Sequence, residues 1–484
     1  MKFPGFGRRF AALGVAILAG GFLISSRAVA QQTAQRPHII YILADDLGWK
    51  DVGFHGSDIK TPNIDQLAQT GATFDQFYVQ PMCTQTRAAL MTGRYPFRYG
   101  LQTVVILPEQ TYGIPNDEWL LPQTLKEAGY TTSIIGKWHL GHAKREFWPR
   151  QRGFDYHYGA LIGEIDYFTH SVHGQRDWYR NNEPVKEEGY VTALLGQDAV
   201  KQISQHDPSK PLFMYLAFTS PHTPYQAPQE YLDKYKNIAD PSRRAYAAMI
   251  SAMDDQIGKV VRALEQRGMR NNTLIIFHSD NGGVKSAMFA GQIETKGQLP
   301  ADNGPYRDGK GTLYEGGTRV VSLINWPGKI NPKTVVKQMA HVVDYYPTLA
   351  KLAGASVSKS KPLDGVDVWP SVTQGKPSSR QEVVYSVEMF RGAVRQGDWK
   401  LFWRTVLPSK IELYNLAQDP AEKTNLADRQ PAKVRELQNR ILELAGKSTP
   451  SMFLTETFKA YMSRPEQPMA LPNDDRFYTN PSEP

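Results

Sequence analysis

Four short apolar runs in this chain each stop abruptly at a polar or glycine-rich turn. "HIIYILA" (38–44) runs into Asp45-Asp46-Leu47-Gly48, and "YTTSII" (130–135) runs into Gly136-Lys137-Trp138-His139. "PLFMYLAF" (211–218) runs into Thr219-Ser220-Pro221-His222, and "TLIIFH" (273–278) into Ser279-Asp280-Asn281-Gly282-Gly283. Unbroken apolar runs of this length suit strands buried on both faces, as in a parallel sheet. Helix-like stretches lie between them: "NIDQLAQTG" (63–71), "LPQTLKEAG" (121–129) and "YAAMISAMDDQIGKVVRALEQRG" (246–268), each ending at a glycine suited to a C-terminal cap. Strand alternating with helix predicts an α/β fold built on a large, mostly parallel sheet between helices. Ligands bind such sheets beyond the carboxyl ends of the strands. Here those ends carry Asp-Asp, Lys-x-His, His and Asp-Asn, so four distant segments are expected to deliver polar groups to one edge.

The N-terminus reads as an export signal over residues 1–30. Lys2, Arg8 and Arg9 precede the apolar run "AALGVAILAGGFLI", and "AVA" (28–30) fits a small-residue cleavage site. The apolar run is too short for a membrane span. Arg8-Arg9 leaves twin-arginine and Sec export both open. The expected product is an exported, periplasmic or secreted protein with no membrane association once the signal is removed. The formal charge of +8 overstates its basicity. Residues 1–30 hold four basic groups (Lys2, Arg8, Arg9, Arg27) and no acid, which leaves 52 basic against 48 acidic residues. That balance excludes nucleic acid as the expected partner. A single cysteine, Cys83, points to a bacterial periplasm rather than a disulfide-rich extracellular space.

The 484 residues suffice for a large core and one extra domain. The expected catalytic domain covers 36–375. "GASVSKSKP" and "QGKPSSRQ" read as surface loops, after which "EVVYSVE", "GAVRQ", "WKLFW" and "IELYNL" read as short strands and 431–446 as a helix. A smaller C-terminal α+β domain is therefore expected over 376–462, followed by an extended Pro-rich tail over 463–484. No internal repeat or heptad pattern is visible.

Three groups of residues carry chemistry. "TRAALMTG" has helical character and places Cys83 at a helix start, where unpaired N–H groups are expected to favour a thiolate; Arg87 lies one turn on, on the same face. Asp45, Asp46, Asp280 and Asn281 offer only oxygen ligands, which suits a hard cation, Ca²⁺ or Mg²⁺, over zinc. Either pair alone would serve as a turn cap; two pairs at two strand ends point to metal. Arg87, Lys137 and Lys310 supply cations for a tetrahedral oxyanion, and His139 and His222 supply proton carriers. "GEIDYFTHS" (163–171) and the 284–306 loop are expected at the substrate mouth.

"CTQTRAALMTGR" resembles the C-x-P-x-R signature, with its trailing T-G pair, of the type I sulfatases in the alkaline phosphatase superfamily. "ADDLGWKDVGFHG", "GYTTSIIGKWHLG", "FTSPHTPY", "HSDNGG", "LYEGGTR" and "PLDGVDVWPS" match that family's blocks in order, over about 38–370. "GRYPFRYGLQ", "LLPQTLKEAGYTT" and "RGFDYHYG" are most similar to its N-acetylgalactosamine-4-sulfatase branch, also called arylsulfatase B.

The resemblance implies an alkaline-phosphatase-like fold and hydrolysis of sulfate esters on sulfated saccharides or aryl sulfates. It implies that Cys83 is oxidised to formylglycine by a formylglycine-generating enzyme, and that the hydrated aldehyde attacks sulfur. Asp45, Asp46, Cys83, Asp280 and Asn281 would then hold one Ca²⁺. Arg87 and Lys137 would orient the diol, His222 and Lys310 would bind sulfate and assist the leaving oxygen, and His139 would help regenerate the aldehyde. Gln85 stands where the signature has Pro, and Thr86 where it commonly has Ser. Two alternatives stand beside the sulfatase reading: a phosphomonoester or phosphodiester hydrolase of the same superfamily, and a non-catalytic binder of sulfated glycans.

Overall fold

The computed structural model describes residues 36–286 and 299–463, with the single positions 1 and 288. The expected signal segment over 2–30, residues 287 and 289–298 of the 284–306 loop, and the tail from 464 lie outside the described residues. The described residues from Arg36 onward belong to one compact unit. Among the described residues no helix is long and apolar enough to cross a membrane.

A ten-stranded sheet runs through the centre. Its strands, in chain order, are β1 (His38–Ala44), β2 (Ala72–Phe74), β3 (Thr131–Gly136), β4 (Tyr156–Gly159), β5 (Tyr179–Arg180), β6 (Glu183–Pro184), β7 (Leu212–Ala217), β8 (Thr273–Ser279), β9 (Ser322–Asn325) and β10 (Thr334–Val336). Their spatial order is β10-β2-β9-β8-β1-β7-β3-β4-β5-β6. The centre, β8-β1-β7-β3-β4, is parallel throughout, while β9 runs antiparallel between β8 and β2. The four apolar runs are thus four adjacent strands. Every residue of β1, β7 and β8 is buried, which is why their sequences do not alternate.

Odd and even side chains of β1 enter two different cores. Ile39, Tyr41 and Leu43 pack with residues of α2 (Cys83–Thr92) and α3 (Leu121–Glu127). Ile40, Ile42 and Ala44 pack with α1 (Pro62–Gln69), α4 (Val191–Gln205) and α5 (Pro241–Gln266). Helix α5 begins five residues before the apolar pattern does, because the Asp240 side chain accepts from the Arg243 N–H and Pro241 occupies the first turn.

The C-terminal part holds a four-stranded antiparallel sheet of β11 (Glu382–Val387), β12 (Arg391–Gln396), β13 (Trp399–Arg404) and β14 (Lys410–Asn415), in sequential order. Helix α6 (Pro431–Ala445) covers one face with Val434, Leu437, Ile441 and Leu444. The fold is therefore α/β with a smaller antiparallel sheet and helix appended.

Candidate active site

Strands β1 and β8 pair in parallel with Ala44 opposite Ser279. Their register alone sets Asp45-Asp46 beside Asp280-Asn281. The Asp46 N–H donates to Asp280 Oδ1 at 3.2 Å, and the Asn281 amide donates to Asp46 Oδ1 at 2.7 Å. Asp46 has φ 66, a left-handed conformation that aspartate tolerates better than most residues. Gly282 follows Asn281 because a Cβ there would lie 1.7 Å from the Gly316 carbonyl oxygen. This close approach brings the loop carrying Lys310 over the edge of the sheet.

Cys83 is the first residue of α2, after Met82 in extended conformation. Its thiol donates toward Asp45 Oδ1 at 3.4 Å and lies 3.5 Å from Asn281 Oδ1. Arg87, one turn along, binds Asp280 Oδ2 through Nη2 (2.9 Å) and Nε (3.2 Å), and the Lys137 carbonyl through Nη1 (3.0 Å). Lys137 Nζ is 2.5 Å from Asp45 Oδ2, and Lys310 Nζ is 2.8 Å from Asp46 Oδ2. His222 donates from Nδ1 to the Thr223 carbonyl (2.7 Å), which leaves Nε2 facing Asp46 Oδ2 at 3.5 Å. Three carboxylates therefore face three fixed cations in a fully buried cluster.

His139 is held from both sides. Its ring Nε2 lies 3.1 Å from the Ile106 carbonyl, so Nε2–H is the donor and Nδ1 keeps its lone pair; Nδ1 is buried and has no partner. Its backbone N–H donates to the Leu161 carbonyl at 3.0 Å. Any side chain at position 163 would strike the ring, since a Cβ on Gly163 would sit 2.2 Å from Cε1. The buried Asp177 carboxylate pins this turn by accepting from the N–H groups of Leu161 (3.1 Å) and Ile162 (2.7 Å). Tyr167 donates to the carbonyls of Thr219 (2.6 Å) and His222 (2.9 Å). The segment 163–171 thus meets both His139 and His222. Sequence patterns gave no signal for Asp177, an isolated acid between Arg176 and Trp178.

Charge follows this geometry. Burial pushes the Cys83 thiol well above its ordinary range, and the nearby Asp280 and Asp45 carboxylates push it further than Lys137 and Lys310 pull it back. This corrects the sequence expectation of a depressed thiol: the helix start and Arg87 are present, but burial and two carboxylates outweigh them. Burial alone would raise the Asp45 carboxyl, but Lys137, His222 and Arg87 hold it below the usual carboxylate range. Burial, then Lys137 and Arg87, lowers His139 well below the ordinary imidazole range, so the ring is neutral. Lys310 would fall on burial, yet Asp46 raises it above the usual ammonium range.

All ten predicted site residues converge on this one edge. Asp45, Asp46, Cys83 and His222 each present a ligand atom within 4.8 Å of the others. Two ligands on opposite sides of a Ca²⁺ ion are about 4.6–5.2 Å apart, so the spacing fits a single cation. Asn281 Oδ1 adjoins the group through Cys83. Asp280 offers Oδ1, while its Oδ2 is engaged by Arg87. His222, expected as a proton carrier, adds a nitrogen donor to this group.

Two family models match the chain. That of Sulfatase covers residues 37–355, and that of N-sulphoglucosamine sulphohydrolase, C-terminal, covers 306–448. Arylsulfatase J of Mus musculus is 35% identical over 471 residues, which covers 86% of this chain and 77% of that protein. N-acetylgalactosamine-6-sulfatase of Rattus norvegicus is 35% identical over 369 residues, covering 72% and 68%. The crystal structure of Ps i-CgsB in complex with k-i-k-neocarrahexaose superposes with a TM-score of 0.79 at 33% identity, covering 92% of this chain and all of that one. The chain belongs to the sulfatase family, the sulfuric ester hydrolases.

Proposed function

We propose that this protein is an exported sulfatase that removes sulfate from a saccharide, using a formylglycine made from Cys83 and one Ca²⁺. The observation that carries the proposal is the position of Cys83 Sγ, 3.4 Å from Asp45 and 3.5 Å from Asn281, inside a ring of oxygen donors and fixed cations. A neutral buried thiol is a poor nucleophile. The same Cβ bearing a hydrated aldehyde would present an oxygen nucleophile at that point. Asp45, Asp46, Asp280 and Asn281, with the oxidised Cys83 side chain, are the ligands assigned to the cation, which would supply Lewis-acid polarisation of a sulfate oxygen.

The chain's own groups divide the remaining work. Arg87 and Lys137 orient the nucleophilic oxygen. Lys310 and His222 hold the sulfate and assist the leaving oxygen. His139, neutral and with a free Nδ1, accepts the proton of the second hydroxyl as sulfate departs. Fixed cations in a water-poor site favour the transition state, in which negative charge on the equatorial oxygens is largest.

For the saccharide, the named relatives suggest N-acetylgalactosamine 6-sulfate and neocarra-oligosaccharides as the first panel, and the resemblance of the sequence blocks adds N-acetylgalactosamine 4-sulfate. An aryl sulfate compared with the matching aryl phosphate under identical conditions tests the reaction class. Faster turnover of the phosphate would overturn the sulfatase proposal. Binding of sulfated saccharide without turnover of any ester would establish a binder instead.

A further inference from the structure

The loop that carries Lys310 is held from a second direction by the C-terminal sheet. Arg391 on β12 donates from Nη1 to the Gly311 carbonyl at 3.0 Å, one residue from Lys310. Its Nε and Nη2 bind the two oxygens of Glu388 at 3.0 Å each, so the planar fork is fixed before it reaches Gly311. Arg307, at the start of the loop, donates to the Tyr414 hydroxyl (3.0 Å) and the Glu422 carbonyl (3.2 Å).

Deeper in the same contact, Lys400 on β13 is wholly buried. Its Nζ lies 3.0 Å from Glu315 Oε1 and 2.8 Å from Glu422 Oε1, over the Tyr385 ring at 4.0 Å. Glu315 also accepts from the hydroxyls of Tyr78 (2.8 Å) and Tyr385 (2.7 Å), and its N–H donates to Glu422 Oε2 at 2.7 Å. Arg319 Nη1 lies 3.6 Å from Glu315 Oε2, and Arg395 adds a further nearby positive charge. Burial pushes the Glu422 carboxyl up to about 7, opposed by Lys400 and reinforced by Glu315. A buried ion cluster of this kind adds little stability over well-packed apolar side chains. What it does fix is geometry, and Gly311 N–H passes that geometry on by donating to the Pro81 carbonyl at 2.8 Å, two residues before Cys83.

We propose that Arg391 and Lys400 are positioning residues: through Gly311 and Glu315 they hold the Lys310 ammonium in place at Asp46, so the C-terminal sheet sets part of the site's geometry. This rests on the sulfate-holding role proposed above for Lys310.

The test is Arg391→Met in the full-length protein. Arg391 is part-exposed, but its loss leaves the Glu388 carboxylate, 10% exposed, without its partner, so Glu388→Gln is combined with Arg391→Met and also measured alone. Hydrogen–deuterium exchange of peptides spanning 307–317 is expected to accelerate about tenfold, while the rest of the chain and the melting temperature stay near wild type. kcat/KM on an aryl sulfate is expected to fall about tenfold, equivalent to 1.4 kcal/mol. That loss is expected to vanish in a Lys310→Ala background. Lys400→Met should act in the same direction and more strongly; if it does not fold, Arg391→Met still decides. Unchanged exchange over 307–317, or an activity loss of the same factor with and without Lys310, overturns the proposal. Full activity in Lys310→Ala alone, with the exchange change still confined to 307–317, overturns the role of Lys310 instead.

Discussion

Arg87 binds one oxygen of Asp280 twice, through Nη2 at 2.9 Å and Nε at 3.2 Å, with both side chains fully buried. The pair joins helix α2 to the end of β8, and so ties the segment bearing Cys83 to the carboxylates. Replacing Arg87 with Ala leaves Asp280 buried and unpaired, which costs about 3–5 kcal/mol. Under the proposed mechanism it also removes a group that orients the nucleophilic oxygen, with an expected loss of roughly 10²–10³ in kcat. Arg87→Lys restores the charge but not the fork, so it should recover part of the stability and little of the turnover. Thermal melts and initial rates on an aryl sulfate measure the two effects separately.

The ligand spacing predicts about one Ca²⁺ per chain in purified protein, measured by elemental analysis. Chelation should lower both activity and melting temperature, and added Ca²⁺ should restore them by mass action. Asp45→Asn and Asp280→Ala should each reduce the bound metal. Zinc in the wild type would sink the assignment, as would a metal content that neither substitution changes.

Gln85 is buried, and neither atom of its side-chain amide has a partner. It is the third residue of α2, while the first helical hydrogen bond runs from the Thr86 N–H to the Met82 carbonyl. Proline is tolerated in this first turn, since the N–H it lacks is one the helix does not use. Gln85→Pro should therefore fold, and relieving an unsatisfied amide should stabilise the protein by about 1–3 kcal/mol. Mass spectrometry of the tryptic peptide Thr61–Arg87 then reads the state of Cys83 in both proteins. Conversion makes the peptide lighter and reactive toward hydrazides but not thiol alkylators. A fully alkylatable Cys83 in active native-host enzyme would refute the formylglycine mechanism, and Cys83→Ala should abolish turnover.

Asp177 gives a pH signature. Burial pushes its carboxyl up to about 6, against the two backbone amides it accepts from. The folded value lies above the unfolded one, so its contribution to stability is full below about 3.9 and is lost as pH rises through about 6. The loss approaches about 3 kcal/mol by pH 7. Asp177→Asn has no such titration. The stability of wild type minus that of the variant, from urea melts at several pH values, should therefore fall between pH 4 and 7. A difference that is flat with pH would show that this carboxyl titrates normally.

The parallel centre of the sheet was legible because β1, β3, β7 and β8 are buried on both faces and read as unbroken apolar runs. The convergence of the ten candidate site residues was legible because nine of them follow those runs directly or lie in a family motif, and Lys310 sits in the glycine-rich stretch before one. What escaped depends on which distant segments meet. Lys400 sits in "WKLFW", where a lysine reads as the solvent face of a strand; that face packs on the loop with Glu315, so the lysine is buried. Cys83 shows the same limit in its charge. Local neighbours favour the thiolate, and only the assembled fold adds Asp45 and Asp280. The antiparallel β9, four residues long and placed beside β8 by a connection of more than forty residues, left no periodic trace.

Every residue of α2, from Cys83 to Thr92, is buried. Under the proposed maturation, this burial sets a deadline. A second protein can reach the Cys83 peptide only while the chain is still open. Once the sheet closes over it, a molecule that has missed the modification keeps its thiol for life. The share of active enzyme in any preparation is then a record of two competing clocks, the modifier's and the folding reaction's, written molecule by molecule and never revised by later incubation.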